Sequence, residues 1–134
     1  MTEDALLALL RALRDRVVGI TDTALASRDG LIITSDTADI DPDNLAALAA
    51  ASLGVAQRMS AEAGKGTLRE ATTRGSGGCV AVYAVGTSAL LVVVGDEGLD
   101  LGRLHRESRP TVDAIEVLLK RGHTGMGGAG MVAS

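Results

Sequence analysis

Aromatic side chains are almost absent from this sequence of 134 residues: Tyr83 is the only one, and neither phenylalanine nor tryptophan occurs. Bases, sugars and flat cofactors are commonly held by stacking against aromatic rings, so the composition does not favour binding any of them. Leucine, valine, isoleucine, alanine and methionine must therefore build the core, and we expect no cofactor.

Clustered positive charge is lacking too. The formal net charge is −4, and the basic residues are spread from Arg11 to Arg121. Contact with nucleic acid or with an anionic membrane surface needs a concentrated basic patch. We therefore expect neither partner.

The sequence has a single cysteine and no long apolar run. Cys79 alone excludes an intramolecular disulfide and a metal site of the CxxC type. The longest strongly apolar run, Ala89–Val94, is too short to span a bilayer, and the acidic start lacks the basic region of a signal peptide. We expect a cytoplasmic protein without membrane insertion.

Periodicity and turn signals predict eight elements in the order α-β-β-α-β-β-β-α. The Asp29-Gly30 turn separates the first two strands, and Asp41 followed by Pro42 opens the second helix. The predicted helices span residues 4–17, 42–63 and 99–121, and the predicted strands span 21–27, 31–34, 67–74, 79–85 and 89–95. This order predicts an α/β fold, a three-layer sandwich around a five-stranded, mainly antiparallel sheet.

The domain organisation is simple. Residues 1–121 are expected to form one domain, and residues 122–134 a disordered, glycine-rich tail. Pro110 falls inside the last predicted helix, where it removes one backbone hydrogen bond. It is expected to kink or restart that helix near Ser108 or Arg109.

Motifs that could carry chemistry lack the context that each one needs. Residues 125–130 match GxGxxG but follow the last helix instead of joining a strand to a helix. Residues 64–67 resemble the end of a phosphate loop but lie at a helix C-terminus, where the helix dipole repels phosphate. His105, Cys79 and the aspartates at 39, 41 and 43 have no assignable catalytic or metal-binding partners. We predict no catalytic residue and no metal site.

The second helix has an unusual composition, because the twelve residues 45–56 contain no charge. One apolar stripe at coiled-coil-like spacing is formed by Leu45, Leu48, Ser52, Val55 and Met59, and a neighbouring stripe by Ala49, Leu53 and Ala56. One stripe can cover the sheet, while small residues (Ala46, Ala47, Ala50 and Gly54) would let another helix approach the other side closely. The pattern indicates a dimer or partner interface. The alternative is that alanines serve only as good helix formers on a tolerant surface.

The element order and three segments resemble a roadblock-type (dynein light chain) domain over about residues 4–121. The segments are residues 27–35 (SRDGLIITS), the apolar second helix, and the run 91–95 (LVVVG) that leads through 96–98 into 99–104 (LDLGRL). The resemblance implies a profilin-like, non-enzymatic domain that forms a homodimer by pairing its second helices and the edges of its middle strands. Carried over, the interface residues are Leu45, Leu48, Ala49, Ser52, Val55, Ala56, Met59, Leu68, Glu70 and Thr72.

The resemblance also implies a partner. Members of this family scaffold or regulate Ras-like small GTPases without binding nucleotide themselves, and bacterial versions are often encoded beside such a GTPase. Arg58 and Glu62 could supply polar specificity at the rim of the binding surface. Two alternatives stay open: an assembly subunit of a signalling complex, for instance with a histidine kinase, and a small-ligand sensor or enzyme on the same scaffold.

Overall fold

Three helices and five strands follow one another in the predicted order. The computed structural model describes the backbone of residues 2–131 and the side chains of residues 2–122. The helices are α1 (Thr2–Arg16), α2 (Pro42–Glu62) and α3 (Leu101–Met131), and the strands are β1 (Ile20–Ser27), β2 (Ile32–Asp36), β3 (Glu70–Gly75), β4 (Gly78–Val85) and β5 (Ala89–Asp96). The predicted fold class is confirmed.

The sheet is antiparallel throughout, with the strand order β2-β1-β5-β4-β3. Its central strands, β1 and β5, are rich in apolar residues and almost completely buried. Chain connectivity therefore leaves β2 and β3 at the two edges. A two-residue turn at Ser76 and Gly77 joins β3 to β4 and sets their pairing, which places Glu70 opposite Tyr83.

The two faces of the sheet carry different layers. On one face α1 and α3 pack over large side chains such as Leu10, Leu91 and Ile115. On the other face α2 lies alone, and much of that layer consists of alanine, including Ala24, Ala26 and Ala46. Helix layers on both faces produce the predicted three-layer sandwich.

Close contact between the β1–β2 turn and α2 depends on Gly30. Its φ of +90° is a left-handed conformation that suits glycine, and a Cβ there would lie 3.1 Å from the Cα of Ala47. Arg28 ties the same turn to the β4–β5 turn, because its guanidinium donates hydrogen bonds to the carbonyl oxygens of Ala89 and Gly86 at 3.0 and 2.8 Å. α2 thus packs against a β1–β2 turn that is held in place by hydrogen bonds.

Two predicted boundaries differ from the structure. β3 begins at Glu70 and not at Thr67, because the backbone N–H of Leu68 donates to the side chain of Gln57 instead of to a strand. α3 runs unbroken through Pro110, so the restart predicted near Ser108 or Arg109 does not occur. Pro110 lies on the exposed side of the helix, where water can solvate the carbonyl left without its N–H partner.

The end of α3 lies beyond the predicted limit at Arg121. The disorder predicted for residues 122–134 stays a prediction, because the structure describes no side chain after Gly122. No helix within the described residues is both long and apolar enough to cross a membrane.

Candidate functional site

The side of α2 that faces away from the sheet is apolar and exposed. We call it the outer face of α2; its exposed residues are Ala47, Leu48, Ala51, Ser52, Gly54, Val55, Arg58 and Met59. Leu48, Val55 and Met59 retain 70%, 61% and 63% of their accessible surface. Together these residues form an apolar patch that the core does not cover.

The core needs only a narrow strip of α2. Ala46, Ala49 and Leu53 are buried against the sheet, with Leu45 and Ala50 half-buried beside them. A helix that served only to cover a sheet would carry charge on its opposite side. Here the residues between Leu48 and Val55 carry none, so the composition of the outer face is not explained by packing within the protomer.

The assignment of stripes on α2 needs a correction. Ala46 and Ala50, predicted to line the outward side, face the sheet, where α2 approaches Gly30 closely. Ala49 was predicted as an interface residue, but it is 4% exposed and packs in the core, so its side chain cannot meet a partner. Leu45 and Ala56 lie half-buried at the margins of the outer face.

The three β3-side residues predicted for the interface point to different places. Leu68 precedes the strand and packs against the α2 layer. The carboxylate of Glu70 turns to the opposite face, toward α3, and Thr72, two residues further along the strand, is exposed on that same face. β3 itself is the terminal strand of the sheet, so within the described residues its outer backbone groups have no strand partner.

A polar cluster joins β3, β4 and α3. The Nδ1 atom of His105 lies 2.6 Å from the Tyr83 hydroxyl oxygen and 2.8 Å from Oε2 of Glu70. An ionised carboxylate at that distance requires a proton on Nδ1, which then donates to Glu70. Sequence reasoning did not find this cluster, although counting outward from the Ser76-Gly77 turn places Glu70 opposite Tyr83.

Tyr83 is held as a neutral phenol. It is 5% exposed, and burial raises the pKa of its hydroxyl well above the ordinary value, with the neighbouring Glu70 carboxylate acting in the same direction. The contact between Glu70 and His105 links the edge strand to α3, and the hydroxyl of Tyr83 on β4 contacts the same imidazole.

The other positions considered for chemistry lie partly inside and partly outside the described residues. Within the described residues, no set of three or more histidine, cysteine or acidic side chains could hold a metal ion. Cys79 is a buried free thiol. The Gly64-Lys65-Gly66 segment follows the C-terminus of α2, as expected for a helix stop. The GxGxxG match at residues 125–130 lies beyond the described side chains.

Solved structures share this fold. A Roadblock/LC7 domain from Streptomyces avermitilis aligns with a TM-score of 0.79 at 24% identity, covering 84% of this chain and 96% of that one. The gliding protein mglB from Thermus thermophilus aligns with a TM-score of 0.82 at 21% identity, covering 90% and 93%. Profilin IB from Acanthamoeba castellanii aligns with a TM-score of 0.53 at 16% identity, covering 73% and 86%. The profilin-like architecture is thereby confirmed.

Sequence comparison identifies the family directly. The uncharacterized protein MJ0310 of Methanocaldococcus jannaschii is 30% identical over 105 residues, which cover 78% of this chain and 91% of that protein. The model of the Roadblock/LC7 domain matches residues 6–95, from α1 to the end of β5. The chain therefore belongs to the Roadblock/LC7 domain family.

Proposed function

We propose that this chain is a non-catalytic, homodimeric regulatory or scaffold module that binds a Ras-like small GTPase in a bacterial signalling system in the cytoplasm. The observation that carries the proposal is the apolar outer face of α2, which carries no charge from Ala47 to Val55 and leaves Leu48, Val55 and Met59 largely exposed. Membership of the Roadblock/LC7 family supports it.

The outer face of α2 suits contact with a second copy of the same helix. Leu48, Ser52, Val55 and Met59 follow one another at three- and four-residue spacing along one line. The small residues Ala51 and Gly54 beside that line allow two helix backbones to come close. A two-fold dimer buries the same patch on both protomers, so each exposed apolar side chain contributes twice to the free energy of dimerisation, once from each protomer.

The edge of β3 extends this surface. Its outer backbone groups can pair with β3 of a second protomer, and Thr72 is exposed on the strand. A continuous surface of helix and strand edge fits the pairing that the family resemblance implies. Arg58, exposed at the end of the apolar line, and Glu62 one turn later provide a polar rim for a GTPase.

The dimer is tested by charge substitution. Leu48→Glu combined with Val55→Glu places four carboxylates in the proposed interface and should produce a folded monomer, because both side chains already contact water in the protomer. The matched control is Val117→Glu on α3, which is also exposed and should leave the dimer intact. Light scattering after gel filtration measures the mass; a double variant that stays dimeric would contradict helix pairing.

The GTPase is tested by affinity capture from the source organism's lysate, with GDP and again with a non-hydrolysable GTP analogue. A small GTPase enriched in one nucleotide state, and lost with an Arg58→Glu variant, supports a regulator. Recovery of a histidine kinase or another scaffold regardless of nucleotide favours the alternative, an assembly subunit of a signalling complex without direct GTPase regulation. Circular dichroism of the Arg58→Glu variant controls for folding, which this exposed position should not affect.

A further inference from the structure

The two helical layers are attached to the sheet to different extents. In the layer of α1 and α3 the buried side chains are large; they include Leu6, Leu10 and Leu13 of α1 with Leu104 and Ile115 of α3. Of the 21 residues of α2 only Ala46, Ala49 and Leu53 are buried, and Leu53 alone is larger than alanine. The free energy gained by burial grows with the apolar area removed from water. Packing on the sheet therefore stabilises α2 far less per residue than it stabilises α1.

Polar contacts show the same contrast. The guanidinium of Arg16, at the end of α1, donates hydrogen bonds to Glu107 at 3.2 Å and to Thr111 at 3.0 Å, both on α3. Within the described residues, no side chain of α2 makes a hydrogen bond or an ion pair with a strand. The side chains of α2 that bond beyond the helix reach only the loop at residues 63–69 that follows it.

Both connections of α2 are tied to the sheet independently of the helix. Before α2, the backbone N–H of Ala38 donates to the carboxylate of Asp22 on β1 at 3.0 Å. After it, the backbone N–H of Ala84 on β4 donates to the carbonyl oxygen of Arg69 at 3.0 Å. α2 can therefore open between two held ends while the five strands and the layer of α1 and α3 keep their contacts.

Away from the sheet, α2 would lose its helical hydrogen bonds. Its alanines favour a helix, but Gly54 and the β-branched Val55 lie near its middle and lower the helix propensity there. Most of the stability of a helix in a protein comes from tertiary packing. Opening would thus expose the backbone amides of α2 to exchange with water.

We propose that α2 is a separate opening unit, which unfolds locally while the rest of the fold stays intact, and that contact at its outer face sets how often it opens. The first part depends on packing within the protomer alone. The second part rests on the proposed dimer, because a second copy that binds closed α2 must dissociate before α2 can open. Each opening uncovers the apolar sheet surface beneath α2, which includes Val82, Leu90 and Val92.

Hydrogen exchange of the full native protein, followed by NMR at dilutions that favour the monomer, tests the opening unit. After correction for intrinsic rates, amides of residues 46–57 should exchange at least about tenfold faster than the slowest amides of α1 and β5. Equal protection of the two groups would overturn the proposal.

Leu10→Ala separates local opening from unfolding of the whole chain. Leu10 is fully buried on the face opposite α2, so its contacts survive when α2 opens. The substitution should speed exchange of the slowest amides of α1 and β5 by about thirtyfold or more, and that of α2 by less than about twofold. Equal acceleration of both groups would show that α2 opens only with the whole fold, which contradicts the proposal.

A milder variant and a control accompany Leu10→Ala. Ile115→Val, at another fully buried position of the same layer, should speed the slowest amides by about two- to tenfold and again leave α2 unchanged, so the test remains if Leu10→Ala does not fold. Val117→Ala, at a position that is 48% exposed on α3, should change neither group.

Protein concentration tests the link to the dimer. When nine-tenths of the chains are dimeric by light scattering, exchange of α2 should be about tenfold slower than in the monomer, because only the remaining monomers can open. A dimer that forms without slowing α2 would overturn the link. A chain that stays monomeric at every concentration would overturn the dimer and the link together, whereas the opening unit is decided separately by Leu10→Ala and Ile115→Val.

Discussion

Leu48→Ala tests the dimer with the smallest change, since 70% of Leu48 is exposed in the protomer. The substitution removes three carbon atoms, worth about 0.8 kcal/mol each when fully buried, or about 2.4 kcal/mol together. If dimerisation covers the exposed 70%, the loss is about 1.7 kcal/mol per protomer. The two-fold symmetry doubles it to about 3.4 kcal/mol, which weakens dimerisation by about two and a half orders of magnitude.

The same substitution should leave the isolated protomer almost unchanged. Truncating a side chain that already contacts water costs within about 0.5 kcal/mol, so the free energy of unfolding measured at dilutions that favour the monomer should not move. Sedimentation equilibrium measures the dissociation constant, and urea unfolding measures protomer stability.

Val117→Ala provides the control, because Val117 is 48% exposed on α3, away from the proposed interface. It should change neither the dissociation constant nor, by more than a few tenths of a kcal/mol, protomer stability. The reasoning would be refuted if Leu48→Ala left the dissociation constant within about threefold of the parent, or if it acted mainly by destabilising the protomer.

Three further predictions concern stability. Burial raises the pKa of the Tyr83 phenol, so the native state favours the neutral form; this stabilisation is fully present below the ordinary tyrosine pKa, near 10, and is lost as pH rises above it. Tyr83→Phe should therefore flatten the fall in unfolding free energy measured by urea titration at increasing alkaline pH. Gly30→Ala should destabilise the protein by more than about 1 kcal/mol in urea unfolding, because the new Cβ would crowd Ala47 and the backbone has a φ of +90° there. Gly54→Ala should instead stabilise the protomer by up to about 1 kcal/mol, because Gly54 lies inside a helix with open space around it. Leu53→Ala should cost about 2–5 kcal/mol, seen as a lower melting temperature, since Leu53 is 1% exposed between α2 and the sheet; a cost below about 1 kcal/mol would contradict that packing.

Local signals were sufficient for the order of elements. Asp41 is the predicted N-cap, and its carboxylate accepts a hydrogen bond from the backbone N–H of Asp43 at 3.0 Å. Gly30 takes the positive φ that the Asp-Gly turn predicted. Each of these features depends on a few residues that are neighbours in the chain, so the sequence alone is sufficient to predict it.

The rotation of α2 about its own axis could not be predicted from such local signals. Alanine fits either side of a helix equally well, so the sequence does not say that Ala46 faces the sheet while Ala47 faces water. The choice is made by a distant contact, the backbone of Gly30 against the helix. Leu48 and Val55 were named as interface residues only through the family resemblance, and both side chains are exposed in the protomer.

The polar cluster was missed for a related reason. His105 and Glu70 are far apart in the chain, and no local rule joins a residue on the last helix to the start of an edge strand. The pairing of β3 with β4 could be predicted from the turn that joins them. The position of α3 above those strands, however, depends on how the apolar side of α3 packs against α1 and the sheet. Only the assembled layers bring the three side chains together.

The alanine-rich layer beneath α2 has a consequence for how such proteins diverge. Four of the buried residues between α2 and the sheet, Ala24, Ala26, Ala46 and Ala49, present only a methyl group to this layer. A larger residue at any of these buried positions would lift or tilt the helix by a fraction of a side-chain diameter, because a close-packed interior has no room to absorb it. The exposed residues would be unchanged, yet their position relative to the edge of β3 would shift. If two protomers pair through these surfaces as proposed, two duplicated copies of such a gene could thus stop pairing with each other through substitutions hidden in the core, while their surfaces remained identical.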